Sequence, residues 1–222
     1  MKEVAMNRMV SRMVPALAGA QARRIGRIGC AMPLIAGASI AVAGAVSAGL
    51  MGVQGATMLL IALVPLYILA VGLNAVAVLA GDPLAELQGS TPTGIRAVQT
   101  MRAVLLAVGG AVGGLIMFAP LHLMGVVYGD IGWASAVTPT GGAVVMVLAA
   151  YALSAVADSP RGATFCLMLL WVLLALFWDT NLVSVPALQR GVPLAAATAA
   201  AACAWFALEN PERACRKAVG VR

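Results

Sequence analysis

Few residues in this chain could do chemistry, and their spacing argues against most of it. The single histidine, His122, follows Pro120 and has no acid or second ligand close by in the sequence. That pattern suits packing or an interfacial position better than a proton switch. Four cysteines, Cys30, Cys166, Cys203 and Cys215, form no Cys-x-x-Cys pair. They suggest neither zinc nor a disulfide and read as small, idle thiols. His-Glu-x-x-His, Gly-x-Ser-x-Gly and an Asp-rich phosphotransfer motif do not occur, nor does the phosphate loop Gly-x-x-x-x-Gly-Lys-[Ser/Thr]. The chain is therefore not expected to be an enzyme or to hold a metal or cofactor. The longest polar stretch is AGDPLAELQGSTPTGIRAVQTMRAV, residues 80–104.

The elements that must position this stretch follow from composition. The chain is 62% hydrophobic and 10% charged, against about half and about a quarter for a soluble domain. Between Arg27 and Asp82 there is no charged residue. That gap is roughly 50 residues, or ~80 Å as helix, against a bilayer core of ~30 Å. It must fold as a hairpin of two spans. Further charge-free runs cover 103–129, 131–157, 162–178 and 191–208. Each is long enough for one helical span, giving six in all. The runs lack the alternation of barrel strands, so helices are expected. The fold class expected is an all-α membrane protein, a single polytopic domain over 1–222.

Orientation is read from the basic residues. With six crossings, Lys2, Arg8, Arg12, Arg23, Arg24, Arg27, Arg96, Arg102, Arg161, Arg213, Arg216, Lys217 and Arg222 fall on one side, and Arg190 alone on the other. Both termini are then cytoplasmic in a plasma (inner) membrane, with loops 51–56, 125–135 and 179–190 outside. The net charge of +6 follows from topology and anionic lipid, and no nucleic-acid module is expected. Residues 1–27 lack the apolar core of a cleavable signal.

Residues 3–17 place Met6, Met9, Val10, Met13 and Leu17 on one side and Glu3, Asn7, Arg8, Ser11 and Arg12 on the other. This predicts an amphipathic helix in the headgroup plane, within a cytoplasmic interfacial segment 1–27. The six-span bundle is expected over 28–208, with a loop at 81–102 and a cytoplasmic tail at 209–222. Pro65 is expected to kink span two, and Asn74 to hydrogen-bond a neighbouring helix. In span three, Gly109 with Gly113 and Gly110 with Gly114 form small-xxx-small pairs that let helix backbones approach closely. Tyr128 and Trp133 form an aromatic pair at the outer boundary, and Asp179 and Arg190 bracket the last outer excursion.

Within the loop, Asp82 suits a helix N-cap and Pro83 the first helical position. Leu84 and Leu87 share a face. GSTPTG ends this short helix, and Thr93 or Gly94 begins the next. Such a segment either docks on a soluble partner or is a well-capped surface turn.

The layout resembles the permease subunits of the type-2 ABC exporter family. These typically have an amphipathic elbow helix, six spans and a cytosolic coupling helix between spans two and three. Here Glu86-Leu87, then Ser90-Thr91-Pro92, then Arg96 and Arg102 are similar to the family's loop pattern. Two features depart from it. Gly81-Asp82-Pro83 replaces the usual basic-Gly-Thr approach, and the outer region before span six is very short. The resemblance implies that Asp82, Pro83, Leu84, Glu86, Leu87, Thr91, Pro92 and Arg96 couple the chain to a separate ABC ATPase subunit. ATP and Mg would be bound by that partner. A second permease, identical or related, would complete the path.

The interior, with few charges, suits an amphipathic or lipophilic cargo such as a drug, peptide or lipid, and argues against a small ion. A secondary transporter would ordinarily place ionisable groups at midplane. A non-transport membrane assembly or immunity protein stays open.

Overall fold

The computed structural model describes residues 2–80, 94–126, 132–157, 159–181 and 185–208. Every regular element among these is helical. The loop residues Asp82, Pro83, Leu84, Glu86, Leu87, Thr91 and Pro92 lie outside the described residues, as do Tyr128, Asp130 and the tail 209–222.

The first element, α1 (Lys2–Ala80), is one long helical run with two breaks, at Gly26 (φ 81°, ψ 164°) and Gly52 (φ 76°, ψ 175°). These dihedrals are open essentially to glycine alone. The break at Gly52 reverses the chain. In a straight helix Gly29 and Asn74 would lie about 68 Å apart. Instead, Asn74 Nδ2 donates to the Gly29 carbonyl at 2.9 Å. Gly52 lies midway between them, so residues 27–51 and 53–80 are the two limbs of a hairpin. This is the hairpin and the Asn74 bond expected from the sequence. The connection is tighter than expected, because helix resumes immediately after Gly52. At Pro65 the backbone stays helical, and its carbonyl accepts from Trp171 Nε1 at 2.8 Å. The chain breaks at glycine rather than at proline.

Helix α2 (Gly94–Leu123) follows the undescribed loop. It stops at a glycine cap. Val126 N–H donates to Leu121 O and Gly125 N–H to His122 O, both at 3.0 Å, with Gly125 at φ 78°. This pairing satisfies carbonyls that the last turn would otherwise leave open. A short 3₁₀ turn (Gly132–Ala136) leads into α3 (Val137–Val156). Helix α4 (Pro160–Val172) starts on a Ser159 cap, whose Oγ accepts from Gly162 N–H at 3.1 Å, with Pro160 at its first position. It continues as a π-helix over Leu173–Trp178 and a last turn, Asp179–Asn181. Helix α5 (Pro186–Ala207) closes the described chain.

Four helical stretches are long and apolar enough to cross a membrane: Ile28–Ala80, Gly94–Leu123, Gly132–Val156 and Pro160–Trp178. The first, at 53 residues, contains both limbs of the hairpin. Helix α5 is 22 residues long but rich in alanine, with Gln189 and Arg190 near its start, and is less apolar than these four.

The core lies where the second limb of α1 meets α2 and α3. Tyr67, Val71, Val76 and Leu79 pack with Leu106, Met117 and Leu121, and with Ala143, Met146 and Val147. Helix α3 is central, with 61% of its apolar stretch buried, whereas α4 is peripheral at 11%. That asymmetry leaves space between α4 and its neighbours.

Candidate functional site: a polar base and an apolar crevice

The first turns of α2 are unusually polar for a membrane helix, and each polar side chain there reaches a different part of the fold. Gln99 is buried and donates through Nε2 to the Leu79 carbonyl at 3.2 Å, at the end of α1. Arg102, 3% exposed, donates through Nε to Gln21 Oε1 at 2.9 Å, in the N-terminal part of α1. The Thr100 hydroxyl donates to the Arg96 carbonyl at 2.8 Å and lies 3.2 Å from the Tyr151 hydroxyl of α3. Its one proton is committed to the carbonyl, so Tyr151 is the donor in that second contact. The Arg96 guanidinium lies 3.0 Å from the centroid of the Trp205 ring, near the end of α5. The base of α2 thus joins the N-terminal helix, the end of the hairpin, α3 and α5. Sequence reasoning placed Arg96 and Arg102 at this end but had no signal for the partners, which lie 81 and 109 residues away along the chain.

Higher on α2 the glycines divide their neighbours. A Cβ on Gly113 would fall on the Pro33 carbonyl oxygen and against the Tyr67 hydroxyl, and one on Gly37 would fall on the Gly113 carbonyl oxygen. Tyr67 donates to the Gly110 carbonyl at 2.6 Å. Gly114 faces α3, where a Cβ would meet Thr140 at 3.1 Å, whereas a Cβ on Gly110 would meet Val71 of the hairpin at 2.9 Å and Ala143 of α3 at 3.2 Å. Gly109 is different, with no neighbour closer than 3.9 Å to such a Cβ. Gly113 therefore meets the hairpin, Gly114 meets α3 and Gly110 sits between the two, while Gly109 is the least crowded.

Between α3, α4 and α5 runs a crevice of about 450 Å³. Val145, Ala149 and Leu153 form its floor, Cys166, Leu170 and Leu174 one wall, and Pro193, Ala197 and Ala200 the other. Trp178 lines it at the far end of α4. No lining side chain is charged. The small alanines of α5 and the wide π-helical turn of α4 leave this space unfilled.

Polar contacts close the crevice at the Trp178 end. Trp178 Nε1 donates to the Gln189 carbonyl at 3.0 Å. The Gln189 side chain accepts from Thr138 at 3.4 Å. Arg190 Nη2 donates to Asp179 Oδ2 at 2.8 Å, with Arg190 4% and Asp179 18% exposed. Arg190 also packs on Gly141 and Gly142 of α3, where added Cβ atoms would meet its side chain at 3.4 to 3.5 Å. Burial pushes the Asp179 carboxyl above the usual carboxylate range, and the Arg190 charge and hydrogen bond pull the other way. The two residues that bracket the last excursion in the sequence therefore meet as a pair.

His122 stacks on Phe118 with ring centroids 5.1 Å apart and meets the edge of Trp133 at 4.5 Å. Trp133 thus pairs with the histidine. Among the described residues, no group of three or more His, Cys, Asp or Glu comes together as a metal site. No protein-family model, curated protein or solved structure matches the chain.

Proposed function

We propose that this chain is the permease subunit of an ATP-driven exporter of the type-2 ABC class, moving an amphipathic or lipophilic cargo. In this reading the chain crosses the inner membrane six times with both termini in the cytoplasm. The two limbs of α1 count as spans one and two, α5 as span six, and the N-terminal helix before Gly26 as the interfacial elbow. The segment Asp82–Gln88 is the coupling helix, and a partner ATPase holds ATP and Mg. A second permease completes the path.

The observation that carries this reading is the polar base of α2. The coupling segment precedes Gly94 by five residues in the chain, and within three turns Arg96, Gln99, Thr100 and Arg102 reach both ends of α1, α3 and α5. A push on the loop would act on the N-terminal helix, the hairpin, α3 and α5 together. Closure of the ATPase pair supplies that push, and the halves switch between inward- and outward-open states. The apolar crevice fits a lipophilic cargo, since a small ion would need fixed charge along its path.

A secondary carrier is the second reading, and the buried Asp179–Arg190 pair is the observation that favours it. Capture from mild detergent separates the two. The wild-type chain is expected to retain an ATPase subunit with a phosphate loop, identified by mass spectrometry. The combined variant Leu84→Asp, Glu86→Ala, Leu87→Ala should lose it while inserting normally. Transport driven by a proton gradient without any ATPase would overturn the exporter reading.

A further inference from the structure

Two indoles tie α4 to its neighbours, and they stand seven residues apart. Trp171 Nε1 donates to the Pro65 carbonyl of the hairpin, and Trp178 Nε1 to the Gln189 carbonyl of α5. In a regular α-helix, positions seven apart differ by only about 20° and face the same neighbour. Here they face two. The cause is the π-turn between them, Leu173–Trp178. It holds one residue more than an α-turn, since Asp179 N–H donates to the Leu174 carbonyl, five residues back. One extra residue turns everything beyond it by about 100° and sets it back by about 1.5 Å along the axis. That offset carries Trp178 and Asp179 to α5.

What favours the wide turn lies on α5. The Gln189 carbonyl would ordinarily accept from residue 193 of its own helix, but Pro193 has no N–H. Trp178 supplies the missing donor. Asp179, next along, pairs with Arg190. A π-turn is the rarer form of helix, and both of these bonds that favour it come from outside α4. Closing the turn to α would advance the chain beyond it by one position. Phe177, now exposed, would take the place of Trp178, and Trp178 that of Asp179. Phe177 has no donor for the Gln189 carbonyl, and an indole has no charge for Arg190. The α register thus completes the helix but gives up both ties to α5. Little else in the turn resists the change, because Leu173, Leu176 and Phe177 are all exposed.

We propose that α4 is a helix with two registers. In the π register its far end is tied to α5 through Trp178 and Asp179. In the α register that end rotates, both ties are released, and the seam between α4 and α5 parts beside the apolar crevice. Trp171 stays on the Pro65 carbonyl and acts as the pivot. The change requires no ATPase, so it stands or falls apart from the exporter reading.

The test follows hydrogen exchange of the Trp178 indole N–H, resolved by ¹⁵N NMR of the full-length chain in nanodiscs. The combined variant Asp179→Leu, Arg190→Met removes one tie without leaving a buried charge. It should speed exchange at Trp178 severalfold and leave Trp171, before the turn, unchanged. Deleting Ala175 takes the extra residue out of the turn. Trp178 then keeps its facing in an ordinary α-helix that has no second register to enter. In that background the combined variant should no longer speed exchange. Equal acceleration with and without Ala175, or none in either, would overturn the proposal. A second test needs no deletion. Phe177→Trp with Trp178→Phe, added to the combined variant, moves the donor back by one position. The indole at position 177 should then be protected, because the α register brings it to the Gln189 carbonyl. An unprotected indole there would mean that the register is fixed, and would overturn the proposal as well.

Discussion

The guanidinium of Arg190 reaches the Asp179 carboxylate at 2.8 Å and ties the last turn of α4 to the first turn of α5. Each partner is largely out of water, so each depends on the other. Removing Arg190 leaves a buried carboxylate without its counter-charge, a loss of roughly 3–5 kcal/mol. Arg190→Met is therefore expected to lower the apparent Tm in detergent sharply. Adding Asp179→Leu should recover most of that loss, because the uncompensated charge is then gone.

The same pair sets a pH dependence. Asp179 lies just beyond the apolar span Pro160–Trp178, and burial raises its carboxyl despite the pull of Arg190. A carboxyl raised in the fold stabilises it fully below its unfolded value and loses that contribution as pH rises through the folded value. The apparent Tm of the wild type should therefore decline as pH climbs from about 4 into the window above it. Asp179→Asn should flatten that decline. An apparent Tm that rises across this window in the wild type alone would mean that pairing outweighs burial.

How far the fold was legible depended on what each element uses. The hairpin was readable because a charge-free run too long for one crossing must turn. Its pivot at Gly52 was not readable, since nothing in MGVQGA separates Gly52 from Gly55 until the φ of +76° is known. Asn74 was readable because a lone amide among apolar neighbours needs an acceptor. The links from Arg96 to Trp205 and from Arg102 to Gln21 were not, because contacts 109 and 81 residues apart carry no local pattern. The crevice was invisible for a related reason. It arises from the packing of alanines on α5 against a π-helical turn, and neither feature follows from apolar composition.

The glycines of α2 offer a paired contrast. Gly113→Ala drives a methyl into the Pro33 carbonyl and the Tyr67 hydroxyl, where both neighbours belong to a packed core. Overpacking of this kind costs about 1–3 kcal/mol, and it also disturbs the bond from Tyr67 to Gly110. Gly109→Ala meets only the Cys30 carbonyl oxygen at 3.9 Å and Pro33 Cγ at 4.0 Å, both ordinary contacts, and gains the helical preference of alanine, about 0.5–1 kcal/mol. Thermal unfolding of the two variants side by side should move in opposite directions.

At the hairpin tip the cost is in the backbone alone. A Cβ on Gly52 would touch nothing within 4 Å, yet φ 76° with ψ 175° is open essentially to glycine. Gly52→Ala is expected to lose roughly 1–3 kcal/mol. Gly49→Ala, equally open but with ordinary helical φ, should lose nothing. Equal effects at the two sites would show that the tip relaxes its backbone without penalty.

The contact between Arg96 and Trp205 tests whether the base of α2 transmits force or only holds the bundle together. The guanidinium lies over the indole at 3.0 Å from the ring centroid, and such a contact contributes about 0.5–2 kcal/mol. Trp205→Leu keeps an apolar side chain at a partly exposed position, so the stability loss should stay within that range and the chain should still insert. Under the exporter reading the variant should still capture the ATPase, because the loop 81–93 is untouched. Its stimulation of ATP hydrolysis should nevertheless fall severalfold, because movement of the loop no longer reaches α5. Trp205→Phe, which keeps an aromatic face, should give an intermediate value. If stability falls but stimulation is unchanged, the contact is structural only, and force reaches the bundle through Gln99, Thr100 and Arg102.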